Sequence, residues 1–197
     1  MITPVVDYAL SRPEIDPTRI AGFGYSLGGY LLAPATAFEP RLAALILDDV
    51  VHDLTSGVAE NLPPFLLAWV DEGRDADVIP VVSLLLSVSS QLRWAMRNGM
   101  WMFGVHNYAE LLRTIKNYTL DGVADQIIAP TLILEGEHDA VLAGQPQRVE
   151  KAHTAAKATR VSLTEAEGAG EHTHAGALAR THQVMFDWLD TVWTDLP

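Results

Sequence analysis

The stretch Gly24-Tyr25-Ser26-Leu27-Gly28-Gly29 places a serine between two glycines, each two positions away. A serine hydroxyl attacks a carbonyl only when a base takes its proton. Such chemistry needs the hydroxyl pushed clear of the backbone, on a strained turn between a strand and a helix. A side chain two positions from the serine would collide with neighbouring backbone there, and glycine has no Cβ. Gly24 and Gly28 fill those positions, and Gly29 lets the following helix lie close to the sheet. Leu27 comes next after the serine, so its backbone N–H can face a developing oxyanion. A glycine-rich turn that merely packs is the bland alternative. The strand-like run Arg19-Ile20-Ala21-Gly22-Phe23 before it and the helix-competent Tyr30-Leu31-Leu32-Ala33 after it argue against that.

A serine of this kind works with a histidine that draws its proton and a carboxylate that holds the imidazole. On such an elbow the chain order is Ser, then Asp or Glu, then His. Catalytic groups collect at the carboxyl ends of parallel strands. Asp139 fits the acid: it follows the apolar run Thr131-Leu132-Ile133-Leu134, in a loop opened by Gly136. Glu135, Glu137 and the pair Asp48-Asp49 are alternatives, whereas Asp121 and Asp125 precede that run and fall at its wrong end. His172 fits the base, inside Gly168-Ala169-Gly170-Glu171-His172-Thr173-His174, and His174 competes with it two residues on. His52, His106, His138, His153 and His182 suit the surface or a satisfied core better. Glu171, His172 and His174 crowd as metal ligands would, but no i, i+4 histidine pair or cysteine joins them. No metal is expected there.

These residues need elements to hold them. Residues 4–10 read as the end of a helix, and Ser11-Arg12-Pro13-Glu14-Ile15-Asp16-Pro17 as a turn rich in proline and acid. Pro34 should end or kink the helix after the elbow. The unbroken apolar run Leu42-Ala43-Ala44-Leu45-Ile46-Leu47 reads as a parallel strand buried on both faces. Helices are expected near 65–72, 78–97 and 108–118, with Trp69, Trp94, Trp101, Phe103 and Tyr108 either in their packing core or lining an apolar pocket. A helix over 147–159 and a strand over 160–164 follow the acid. A closing helix over 175–193 sets Leu178, His182, Met185, Phe186, Leu189 and Trp193 near one face. Strands alternating with helices imply an α/β fold, a mostly parallel sheet with helices on both faces. The chain then divides into an elbow part at 1–53, a helical cap-like insertion at 54–120 and a second core part at 121–197.

Composition sets the outer bounds. The 197 residues are 49% apolar and 19% charged, enough for a real core and too apolar for disorder. A net charge of −12 argues against a nucleic-acid surface and an anionic membrane. No cysteine is present, which removes disulfides, thiol nucleophiles and cysteine-type zinc sites and suits the cytoplasm. No signal peptide is visible, and the apolar run at 78–86 is too short to span a bilayer.

With those residues placed, the chain resembles the α/β-hydrolase superfamily. More narrowly it is similar to the group containing the FrsA-like proteins and 2,6-dihydroxypseudooxynicotine hydrolase, near the prolyl-oligopeptidase-type hydrolases. The resemblance runs through Ile15-Asp16-Pro17-Thr18-Arg19-Ile20, the elbow, and Phe38-Glu39-Pro40-Arg41-Leu42-Ala43-Ala44. It resumes at Pro130-Thr131-Leu132-Ile133-Leu134-Glu135-Gly136-Glu137-His138-Asp139 and at Gly170-Glu171-His172. It implies Ser26 as nucleophile, Asp139 as acid and His172 as base. It also implies hydrolysis of an ester, an amide or an activated carbon–carbon bond in a small carbonyl-bearing molecule, with no cofactor. In some carbon–carbon-cleaving relatives an extra acid assists, a part that Asp49 or Asp53 would take here. The family carries several strands and a helix before the elbow, among them the loop supplying a second oxyanion N–H, whereas only 21 residues precede Gly22. The chain therefore reads as the C-terminal part of such a hydrolase. The alternative is a binding or regulatory module on that scaffold, forming a homodimer or meeting a partner chain through the bare elbow strand.

Overall fold

The computed structural model describes residues 2–59, 62–140 and 142–194. Two compact units emerge, Met1–His52 with Leu120–Pro197, and Asp53–Thr119.

The first unit is built on four parallel strands in the order β1-β2-β3-β4: β1 Ala21–Tyr25, β2 Ala44–Asp48, β3 Thr131–Gly136 and β4 Ala158–Leu163. Parallel neighbours need crossover connections, and a helix lies between β1 and β2 and another between β3 and β4. All five residues of β2 are buried, as an unbroken apolar run in a central strand requires. Alternation along the strands sorts the two faces. Ile46, Leu132 and Leu134 pack against Met185, Val184, Trp188 and Leu189 of the closing helix α9, Leu178–Thr194. Gly22, paired in register with Leu45, faces Leu32 of α2, Leu27–Ala37, on the opposite side. The sheet is thus covered by helices on both faces. β1 forms one edge of this sheet, with Phe23 and Tyr25 partly exposed and stacked edge-to-face at 4.4 Å. The N-terminal helix α1, Thr3–Leu10, is tied to the end of α2 by Arg41, which reaches Asp7 and Glu39 at 2.7 and 2.6 Å. No helix among the described residues is long and apolar enough to cross a membrane.

The second unit is helical: α3 Leu54–Ala59, α4 Pro64–Asp71, α5 Asp75–Val88, α6 Ser90–Phe103 and α7 Tyr108–Ile115. Its core gathers Leu66, Val70, Val82, Met96, Leu112 and Ile115. Gly99 of α6 lets Leu111 of α7 approach, since a Cβ there would sit 3.1 Å from Leu111 Cδ2.

Several local expectations change. The single helix expected over 78–97 is two, because Ser89 turns extended and its hydroxyl caps α6 by accepting Leu92 N–H at 3.2 Å. Trp69, Phe103 and Tyr108 pack on the helical core, but Trp94 and Trp101 are exposed. α2 runs three residues past Pro34, with the proline inside it. The helix expected over 147–159 is shorter and earlier, α8 Gln145–Ala152. On α9, Trp188 packs inward, while Leu178 and Phe186 are exposed.

Candidate active site

Each strand of the sheet delivers one piece of the site at its carboxyl end. Ser26 follows β1 with φ 49° and ψ −121°, a conformation rarely open to a residue with a side chain. Its N–H donates to Asp48 O at 2.7 Å, and α2 begins at the next residue. The turn is tight because Gly24 is bare: a Cβ there would stand 2.7 Å from both Gly28 O and Gly29 Cα. Gly29 is nearly as constrained, at 3.0 Å from Gly24 O. Gly28 differs from expectation, since a Cβ on it would meet nothing within 4 Å. The crowding falls on Gly24 and Gly29, because the helix start folds back over the strand end and turns Gly28 outward. Leu27 opens α2, where an N–H has no intrahelical carbonyl to reach.

Asp139 lies three residues beyond β3, and its Oδ1 accepts Leu142 N–H at 3.1 Å. His172 lies nine residues beyond β4. The fold brings these distant residues together: His172 Nε2 is 3.0 Å from Ser26 Oγ, and His172 Nδ1 is 2.8 Å from Asp139 Oδ2. With Nδ1–H donating to Asp139, Nε2 is left to accept the serine proton. Burial pulls the imidazole pKa down, but the hydrogen bond and charge of Asp139, with Asp49 and Asp48 behind it, hold it above its ordinary value.

The competing residues take other posts. His174 is fully buried, its Nδ1 lies 2.6 Å from Ala169 O, and its Nε2 faces Asp48 Oδ1 at 3.0 Å. That last contact lies off the line of a good hydrogen bond and becomes an ion pair when the ring is protonated. Burial lowers the His174 pKa, and Asp48, the Ala169 carbonyl and Asp49 together raise it above its ordinary value. Glu135 pairs with Arg160 and Gln147, and Glu137 accepts Glu165 N–H at 2.9 Å. Asp53 Oδ1 accepts Thr55 N–H at the start of α3. Asp49 also comes near His172, with Oδ2 3.8 Å from Nδ1.

Sequence reasoning gave Gly136 only the role of opening a loop. A Cβ on it would stand 2.6 Å from Gly170 O and 2.9 Å from Glu171 O, so the acid-bearing loop and the segment leading to His172 touch backbone to backbone. A cavity of about 180 Å³ lies beside this contact, lined by Asp49, Glu137, Asp139, Leu142 and Pro146 but not by Ser26 or His172. Among the described residues, two groups of side chains have the spacing of metal ligands, Asp48-Asp49-His174 and Asp49-Asp139-His172. In each group one histidine nitrogen already faces a carboxylate, His174 Nε2 facing Asp48 and His172 Nδ1 facing Asp139.

A parallel sheet flanked by helices, with serine, histidine and aspartate converging at its carboxyl ends, defines an α/β-hydrolase fold. The comparisons agree. The chain is 34% identical over 186 residues to hydrolase LUC6 of a Fusarium species, with 90% of this chain and 44% of the relative covered. It is 32% identical to the 20-hydroxy-prefusarin hydrolase FUS2 of Gibberella moniliformis, over 96% of this chain and 47% of the relative. It spans about half the length of these curated relatives. Among solved structures, 2,6-dihydroxy-pseudo-oxynicotine hydrolase superposes with a TM-score of 0.69 at 24% identity, over 96% of this chain and 44% of the other. The α/β hydrolase GrgF from Penicillium superposes at 0.62 and 16% identity, over 96% and 69% of the two chains. No protein-family profile matches. The chain has the α/β-hydrolase fold, and the curated relatives it matches are named hydrolases.

Proposed function

We propose that the chain carries the catalytic centre of a serine hydrolase that cleaves an ester, an amide or an activated carbon–carbon bond. The carrying observation is the continuous contact from Ser26 Oγ through His172 to Asp139, at 3.0 and 2.8 Å. His172 Nε2 takes the hydroxyl proton as Ser26 Oγ bonds to the substrate carbonyl carbon, and the carbonyl electrons move onto its oxygen. Leu27 N–H faces that oxyanion. As the oxyanion collapses, the bond to the leaving group breaks and His172 returns the proton to it. Water then repeats the sequence on the acyl-serine, releasing the acid and restoring Ser26. Asp139 holds the imidazole in the tautomer that presents Nε2 to the serine, and stabilises the imidazolium formed at each step. The strained φ of Ser26 supports this reading, because such a conformation persists only where the surroundings enforce it. The names of the relatives support hydrolysis as the reaction class.

A fluorophosphonate probe tests it. The wild-type chain is expected to be labelled, and Ser26→Ala to lose the label. Unchanged labelling of the alanine variant would overturn the assignment.

A further inference from the structure

Asp49 has no part in the proton path, yet it is held at its backbone and at both carboxylate oxygens. It is fully buried and sits just past β2 with φ 44°. Its N–H donates to Leu134 O at 2.9 Å, which fixes its backbone to β3. Its Oδ1 accepts Gly136 N–H at 2.9 Å, at the end of β3 where the Asp139 loop begins. Its Oδ2 accepts the N–H of Thr173, the residue after His172. Thr173 itself has φ 56°, costly for a β-branched residue and in need of an outside hold. One carboxylate therefore grips both loops that must meet at Ser26.

We propose that Asp49 is a positioning residue: it clamps the Asp139 loop to the His172 turn and sets a second negative charge against the imidazole. The proposal rests on the serine-hydrolase reading of the site. Several groups face Asp49. Asp139 adds like charge from the β3 loop, and His174 offsets it from beyond β4. His172 Nδ1 lies at 3.8 Å, and His174 Nε2, which Asp48 also holds, lies at 4.0 Å. Glu135 and Glu137 line the adjoining cavity, the first neutralised by Arg160 and the second bonded to Glu165 N–H. Burial pushes the Asp49 carboxyl up to about 6, against the two backbone N–H groups that favour its charge. A carboxylate that only filled space would have been replaced at less cost by an apolar residue.

Asp49→Asn keeps the shape and tolerates the positive φ, since asparagine enters that region as readily as aspartate. Its single carbonyl oxygen can accept one of the two N–H groups, and its NH2 then opposes the other. It also removes the charge that holds the His172 midpoint up. Two readouts are taken: the pH dependence of fluorophosphonate labelling, and the NMR titration of the His172 ring. In Asp49→Asn the plateau labelling rate is expected to fall about tenfold, the worth of one hydrogen bond to a charged group. The His172 midpoint and the acid limb of the profile are expected to move to lower pH. A slower rate with an unmoved midpoint would make Asp49 a structural support only and overturn the proposal, as would an unchanged rate. If the variant does not fold, the wild type still decides. The Asp49 carboxyl carbon and the Gly136 and Thr173 amides should titrate with one common midpoint, and separate midpoints would overturn the clamp. Labelling that survives Ser26→Ala would defeat the serine reading instead, and the two NMR titrations, which need no reaction, would then judge Asp49 alone.

Discussion

Gly24→Ala and Gly28→Ala differ by the same single methyl, two residues either side of Ser26, and the structure assigns them opposite outcomes. At Gly24 the new carbon would lie 2.7 Å from Gly28 O, 2.7 Å from Gly29 Cα and 2.8 Å from Gly28 C. All three are backbone atoms of the α2 start, so no rotamer change relieves the clash. Overpacking of a tight site costs ~1–3 kcal/mol, and the upper end applies where the backbone must yield. For a chain of this size ~3 kcal/mol is a Tm lower by roughly 6–12 °C. At Gly28 the carbon enters open space in the first turn of α2, where alanine for glycine gains at most ~0.5–1 kcal/mol. Urea unfolding of both variants, with m-values checked for equality, reads these differences directly. Labelling should follow: moving the elbow by even ~1 Å costs on the order of a hundredfold in rate. Equal destabilisation by the two alanines would refute the packing account of the turn.

Three further outcomes follow from the same geometry. Asp139→Asn frees His172 Nδ1 from its carboxylate and favours the wrong tautomer, so the rate on a p-nitrophenyl ester should fall by about 10⁴ with little change in Tm. Asp49 titrates near 6 in the fold against an ordinary 3.8, so its contribution to stability is full below about pH 4 and is lost as pH rises through 6. The stability of wild type relative to Asp49→Asn, from urea unfolding at several pH values, should therefore decline from pH 4 to 7 by about 2–3 kcal/mol, and a rise would contradict the assignment. In the helical unit, Leu112→Ala removes a fully buried side chain and should cost ~2–5 kcal/mol, whereas Trp101→Ser, at an exposed position, should change stability by less than ~0.5 kcal/mol.

The two central strands were legible because buried parallel strands write themselves as unbroken apolar runs, as 44–47 and 132–134 do. Ser26 was legible because an elbow constrains its neighbours, and Asp139 and His172 because strand ends limit where partners can stand. His174 stayed a competitor to His172, since two histidines two residues apart differ only in which way a strained turn points them. Here Thr173 and His174 both have positive φ, which sends His174 inward to Asp48. The grip of Asp49 was hidden for a related reason. Its bonds reach Gly136 and Thr173, 87 and 124 residues away, and backbone N–H partners leave no mark on residue type. Ser89 was read as part of a continuing helix because periodicity on either side is apolar, and a cap that ends one helix and starts the next looks like an ordinary polar position.

The most direct test of the mechanism is to mix the chain with p-nitrophenyl acetate, quench within the first turnover and map the adduct by mass spectrometry. The account expects an acetyl group on the Ser26 hydroxyl, formed far more slowly once His172 is replaced by glutamine. Ester turnover with no acyl adduct on Ser26, or an adduct whose formation ignores His172, would contradict it.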